Sequence, residues 1–366
     1  MSLKEFRTEL LDQLIDFLWR QWSVLGVSGE AGAQDDWVID PEALLIFSVG
    51  IARYDARLFD AIMDWLTLNN EMLDTVRLRK YISELEKNCN KWSTESIDTC
   101  INLRIVGSIT QYLNVHVNKA KWENLAEKCR EMTEKLVNKE NKDTLFIDKT
   151  EQGQPVDESN LDTIFDSFSL LRPKRIFQNK SKEVPVTAGT NLRFLLRAFF
   201  GVGAKAECVL YLLTHEYGRP REIAASTGFY WLSVQDVLSD MAKSRLIQTR
   251  VNSKWIEYWL SRNRWWQFIS FSEADENKIP KWLNWWSIFS ALSHLWYTLD
   301  VVTNENISQY MTSSKMQDSI EILHQEFSRA GFDIPPPPAS GLPSDMYEKA
   351  ALQFLRSIFR NKETVR

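Results

Sequence analysis

The change in hydrophobic spacing between residues 191 and 262 constrains the fold of this chain more than any other feature of its sequence. Apolar residues first recur every three to four positions, which is the spacing of helices that bury one face. Four stretches show this spacing: 191–200, 204–215, 219–226 and 232–243. Residues 246–250 and 255–259 are then rich in β-branched and aromatic residues and flank a polar turn at Asn252-Ser253. The segment therefore predicts helices followed by a two-stranded hairpin.

Three motifs lie on these predicted elements. They read Arg-Pro-Arg-Glu-Ile-Ala-Ala-Ser-Thr-Gly-Phe over 219–229, Ser-Val-Gln-Asp-Val-Leu over 233–238 and Met-Ala-Lys-Ser-Arg-Leu-Ile over 241–247. With the order of helix, short helix, glycine turn, third helix and hairpin, residues 191–262 resemble the winged helix-turn-helix of bacterial transcriptional regulators of the MarR and ArsR type. The resemblance does not extend into the flanking regions. It implies that the third helix enters the major groove of duplex DNA and that the hairpin, or wing, touches the backbone or the minor groove.

The resemblance also implies roles for individual residues. Gln235 carries the amide that can pair with adenine through two hydrogen bonds, Ser233 can reach a base or a phosphate, and Tyr230 lies beside them. The phosphate contacts would come from the basic residues around this helix and the wing. These are Arg219, Arg221, Lys243, Arg245, Arg250 and Lys254. We therefore expect double-stranded DNA as the partner and transcriptional regulation as the function.

The third helix also departs from the pattern of a DNA-reading helix. No Arg or Lys precedes Lys243 on it, and Asp236 and Asp240 carry charges that repel phosphate. Trp231 places a large apolar side chain near its tip. The alternative is a non-catalytic adaptor that uses the winged helix to dock another protein, for example in a toxin–antitoxin or defence assembly. The candidate partner surface of such an adaptor consists of Trp231, Trp265 and Trp266.

The charge of the chain is distributed unevenly. The whole sequence has a formal net charge of −5. Residues 170–264 hold 16 basic and 7 acidic residues, a net charge of +9, so the remainder carries −14. This asymmetry favours an anionic partner for the basic segment. Attraction between the basic and acidic parts of the same chain is the other explanation.

The rest of the sequence predicts further helices. Residues 1–138 keep the helical period and contain few strand signals, so we expect an all-helical domain. Residues 139–190 are polar and charged and contain Pro and Gly, which is typical of a charged, basic linker. Residues 263–366 continue as a helical C-terminal region with a proline-rich connection at 334–343. The expected fold class is mostly α, with the winged helix-turn-helix at 191–262 in the centre. Helices that flank such readers often dimerise, so a homodimer is a further expectation.

A stripe of large apolar residues is a clear core signal in the C-terminal region. Trp285, Phe289, Leu292, Trp296 and Leu299 repeat at the spacing of one helix face. We expect them to line a core or an interface.

The sequence contains no motif that indicates catalysis. It has no P-loop, no G-x-S-x-G and no H-E-x-x-H motif, and its four cysteines and four histidines are too scattered to predict a zinc site. We expect no enzymatic activity, no metal and no cofactor. Charged residues interrupt the first apolar residues, and no apolar run reaches ~18 residues, so we expect no signal peptide, no membrane span and a cytoplasmic protein. A small-molecule pocket among the N-terminal helices is a third alternative, for which no residue pattern specifies a ligand.

Overall fold

The computed structural model describes residues 2–27, 36–92, 100–136, 142–177, 180–186, 189–252, 255–270, 278–304, 307–332, 336–339 and 341–359. Within these residues the fold is mostly helical, as the sequence predicts, and contains two small two-stranded sheets. The buried side chains form two hydrophobic cores.

The larger core is built first by the N-terminal helices. These are α1 (Leu3–Val24), α2 (Pro41–Ile51), α3 (Ala56–Asn69), α4 (Thr75–Trp92), α5 (Ile101–His116) and α6 (Lys119–Leu136). Side-chain caps set where several of them begin. Ser2 and Glu5 form a capping box at the start of α1, and the Asp40 carboxylate accepts a hydrogen bond from the Ala43 backbone N–H at 3.1 Å at the start of α2.

The C-terminal helices complete the same core. They are α13 (Trp285–Asn304), α14 (Gln309–Arg329) and α15 (Ser344–Phe359). The ring centroid of Phe17 in α1 lies 6.0 Å from that of Trp285, and Phe47 in α2 stacks on Phe289 at 4.6 Å. The predicted apolar stripe of α13 is buried in this core. The helices at the two ends of the chain therefore fold as one body.

The segment 139–190, expected as an exposed linker, packs onto this body over its described parts. It contains β1 (Asp143–Thr144), α7 (Thr163–Asp166) and β2 (Leu170–Leu171), and β1 pairs with β2 in parallel. Leu145, Phe165 and Leu170 are fully buried. Apart from Val184, the buried apolar residues of its described parts fall in two short runs, 145–147 and 165–170, within a segment that is otherwise polar, which explains why its composition indicated a linker.

The smaller core belongs to a central module, residues 192–270. Its elements are α8 (Leu192–Phe200), α9 (Ala204–Thr214), α10 (Pro220–Thr227), α11 (Trp231–Lys243), β3 (Gln248–Asn252), β4 (Trp255–Trp259) and α12 (Arg262–Ser270). Gly228 ends α10 in the left-handed conformation, with φ 87°, so the chain can turn directly into α11. Strands β3 and β4 form an antiparallel hairpin. Over 191–262 the elements follow the order that the sequence predicts.

A cluster of charged side chains is buried between the two cores. This ionic cluster consists of Arg77, Arg193 and Arg197 with Asp40, Glu42 and Glu207. Arg197 donates hydrogen bonds to Glu42 at 2.6 Å and to Glu207 at 2.8 Å. Burial alone would raise the pKa of Glu207, but the attraction of the surrounding arginines outweighs it and leaves the pKa below its ordinary value. The cluster thus fixes the central module on the N-terminal helices.

Buried ion pairs also account for part of the charge asymmetry. Arg172, Arg193 and Arg197 belong to the basic segment, yet all three are buried. Arg172 donates a hydrogen bond to Asp60 at 3.1 Å, and Arg193 lies 3.2 Å from Asp40. Ion pairs within the chain therefore account for the positive charge of these three arginines. The argument for an anionic partner therefore depends on the exposed basic residues of the module.

Candidate nucleic-acid interface

Helix α11 buries one face and exposes the other. Val234, Leu238 and Met241 pack into the smaller core at helical spacing. The opposite face exposes Leu232, Ser233, Gln235, Asp236, Asp240 and Lys243. Tyr230, directly before the helix, is 63% exposed. The residues predicted to read DNA from α11 are thus accessible. Asp236 and Asp240, whose negative charges would repel DNA, are accessible as well.

A groove of about 360 Å³ lies between the start of α10, the exposed face of α11 and strand β4. We call it the Arg–Trp groove, and it is lined by Arg219, Arg221, Trp231, Gln235, Trp255 and Ile256, among others. The Arg221 guanidinium lies 5.5 Å from the ring centroid of Trp231. The Arg219 guanidinium lies 5.7 Å from that of Trp255. Both distances are in the range of cation–π contacts. Residues predicted for DNA and the tryptophan predicted for a protein partner therefore meet in one groove.

One carboxylate positions two of the predicted phosphate-binding arginines. Glu257 accepts hydrogen bonds from Arg219 at 2.9 Å and from Arg250 at 2.7 Å. Arg250 and Glu257 are directly opposite each other in the hairpin register. The hydrogen bonds from Arg219 and Arg250 lower the pKa of Glu257. Arg219, Arg250 and Glu257 together carry a net charge of +1 beside the groove.

The remaining predicted cations differ in their surroundings. Lys243 forms an ion pair with Asp240 at 3.0 Å, and both side chains are largely exposed. Such surface pairs are weak and open easily. Arg245 is exposed and has a left-handed backbone, with φ 61°, just after α11. Lys254 lies outside the described residues.

The structure separates the three tryptophans predicted as a partner surface. Trp231 lines the groove. Trp266 is buried in the smaller core, so it presents no surface to a partner, and that prediction is corrected. Trp265 is half-buried, and its indole N–H donates a hydrogen bond to the Leu246 carbonyl oxygen at 3.3 Å. Helix α12 lies against α9, and Trp266 belongs to the same buried cluster as Val209 and Leu212 of α9.

Three residues of β4 belong to the site although the sequence reasoning did not select them. Trp255 and Ile256 are about half exposed and line the groove, while Glu257 holds the arginines. The alternation of side chains along a strand could have predicted part of this arrangement. It places Trp255 and Glu257 on the same face of β4.

Comparisons with protein-family models, with curated proteins and with solved structures find no significant match to this chain. The winged helix-turn-helix therefore stays an interpretation that depends on the motifs and the order of elements.

The described residues contain neither a cluster of metal-ligating side chains nor a membrane-spanning helix. No group of three or more His, Cys, Asp and Glu side chains there is arranged to hold a metal ion. None of the described helices combines the length and the apolar character needed to cross a membrane.

Proposed function

We propose that the central module binds double-stranded DNA and that the protein is a non-enzymatic transcriptional regulator of the cytoplasm. The observation that carries the proposal is the exposed polar face of α11, where Gln235 lines a groove together with Arg219 and Arg221 and Ser233 is exposed on the same helix. In this arrangement Gln235 would approach the edge of a base while the arginines contact phosphates. A homodimer, which would place two modules on a two-fold site, stays a prediction.

The exposed basic residues support this proposal. Arg221 and Arg245 have no acidic partner in the described part of the chain. Arg219 and Arg250 are held in place by Glu257, so they would lose little side-chain freedom on meeting a phosphate.

A protein partner is the second candidate, and a specific observation favours it. Two large apolar side chains that line the groove are exposed, Trp255 at 55% and Ile256 at 48%. Val251, which pairs with Ile256 in the hairpin, is exposed at 75%, and the sequence neighbours of Trp231 are exposed as well, Tyr230 at 63% and Leu232 at 43%. Contiguous exposed apolar side chains are typical of protein interfaces. With Asp236 and Asp240 nearby, this surface also suits an adaptor.

A salt titration of DNA binding tests the proposal. The full chain is titrated against a random pool of duplex DNA, and binding is followed by fluorescence anisotropy. We expect micromolar binding at low salt that decreases linearly on logarithmic axes, because each neutralised phosphate releases counterions. Absence of binding even at ~50 mM salt would reject DNA as the partner and leave the adaptor.

A further inference from the structure

A large cleft lies in the N-terminal body, away from the central module. It has a volume of about 940 Å³ and lies between the end of α3, the end of α5 and the start of α7. Residues 174–177 and Ser181 close its remaining side. Its volume is in the range of small-molecule sites, which is ~300–1,000 Å³. None of the described residues of the module lines it.

Aromatic and aliphatic side chains form much of the lining of this cleft. Tyr112 packs edge-on against Phe177, with ring centroids 5.4 Å apart, and its other neighbour is the His116 ring at 4.7 Å. Leu68, which also lines the cleft, is 49% exposed. These side chains offer an apolar surface to the body of a ligand.

The carboxylates of the cleft already have partners within the protein. Asp64 accepts a hydrogen bond from the Ser181 backbone N–H at 2.8 Å. Asp162 caps α7 by accepting from the Ile164 backbone N–H at 3.1 Å, and it also lies 3.9 Å from Arg172. The protein thus already occupies part of the hydrogen-bonding capacity of both carboxylates, and Arg172 offsets part of the charge of Asp162.

Of the two cations among the described lining residues of the cleft, one has a partner within the protein and the other does not. Arg175 is paired with Asp60 at 3.4 Å. The Lys174 ammonium is exposed and has no ionic or hydrogen-bonding partner within the described ranges. An anionic group on a ligand would give Lys174 a charge-assisted hydrogen bond.

We propose that this cleft binds a small organic anion with an apolar body. The body lies against Tyr112, Phe177 and Leu68, and the charged group pairs with Lys174. The proposal is independent of the DNA proposal, since the two sites have no described lining residue in common.

Two fluorescent probes with the same ring skeleton test it on the full chain. Anilinonaphthalene sulfonate carries an anionic group, and N-phenylnaphthylamine lacks it. We expect the sulfonate to bind with one-to-one stoichiometry and more tightly than the neutral probe. Lys174→Glu should weaken the sulfonate at least about tenfold and leave the neutral probe unchanged, because the ion pair is replaced by charge repulsion that only the anionic probe experiences. Leu68→Asp, at a half-exposed position, should weaken both probes.

Control variants separate this site from others. Lys205→Glu makes the same charge change on the exposed surface of α9, and Trp231→Ala removes the wall of the Arg–Trp groove; both should bind the two probes like the wild type. Far-ultraviolet circular dichroism and the urea midpoint verify that each variant is folded. The proposal is overturned if Lys174→Glu leaves sulfonate affinity unchanged, or if Trp231→Ala abolishes it.

Discussion

Arg77 in α4 donates a hydrogen bond from Nε to the backbone carbonyl oxygen of Thr227, 2.8 Å away, at the last residue of α10. A carbonyl in the last turn of a helix has no partner within the helix, so this contact satisfies it. The other guanidinium nitrogens of Arg77 bind Asp40 and Glu42. One buried side chain therefore joins the N-terminal helices to the turn that leads into α11.

Replacement of Arg77 by Met should destabilise the protein strongly. It leaves Asp40 and Glu42 buried with less compensating charge, and breaking a buried pair in this way costs about 3–5 kcal/mol. Urea unfolding measures the change in the free energy of unfolding. Arg79→Met, at an exposed position of the same helix, is the matched control and should change it by at most about 0.5 kcal/mol. Equal effects of the two variants would contradict the role of Arg77.

Gly228→Ala should destabilise the turn between α10 and α11. Gly228 has φ 87°, and a side chain in this left-handed region costs about 1–2 kcal/mol. Gly189→Ala is the control, because an added Cβ there meets open space and the backbone is not left-handed. Thermal unfolding of the two variants checks the prediction, and a Gly228→Ala variant as stable as the wild type would refute it.

Asp236→Asn should strengthen DNA binding if α11 faces the duplex. Asp236 is exposed on the polar face of the helix, and its charge repels phosphates. We expect a several-fold higher affinity in the anisotropy assay at low salt. Glu123→Gln removes an equal charge from the exposed surface of α6 and should have little effect. A similar gain in both variants would indicate a general effect of net charge rather than contact with α11.

Arg221→Ala and Gln235→Ala should affect DNA binding in different ways. Loss of one phosphate contact at Arg221 should reduce the slope of affinity against salt by about 0.9 on logarithmic axes. Gln235→Ala should keep the slope and relax the choice of sequence, because a base contact is lost. Arg57→Ala, at a largely exposed position in α3, controls for the change of charge. If neither slope nor sequence choice changes in the two groove variants, DNA does not occupy this site.

Asp300 should make stability depend on pH. Burial raises the pKa of Asp300 to about 6, although its ion pair with Arg7 acts in the opposite direction. The folded protein therefore holds a proton at pH values where the unfolded chain, with a pKa near 3.8, has released it. Stability should decrease as the pH rises from about 4 to about 6 and then level off.

Asp300→Asn removes the titrating group and should lack this decrease. Urea midpoints of the two proteins across this range of pH measure the difference. Parallel curves for wild type and variant would show that the pKa of Asp300 is not raised.

Part of the candidate site could be predicted from the sequence. Ser233 and Gln235 are exposed on α11 because their neighbours Val234 and Leu238 occupy the buried positions of the helical period. The contact between Arg219 and Trp255 could not be predicted in the same way. It joins the start of a helix to a strand that follows more than thirty residues later in the chain.

The sequence by itself determined the helices, the order of elements over 191–262 and the apolar stripe of α13, because the spacing of apolar residues is a local property of the chain. Only the tertiary structure decided which basic residues remain exposed at the surface. Arg197 is buried against Glu42, while Arg221 remains on the surface, and no local signal distinguishes them. It also decided that Trp266 is buried and Trp255 exposed. Burial of a charge or an indole depends on partners supplied by distant segments, and those partners meet only when the chain has folded.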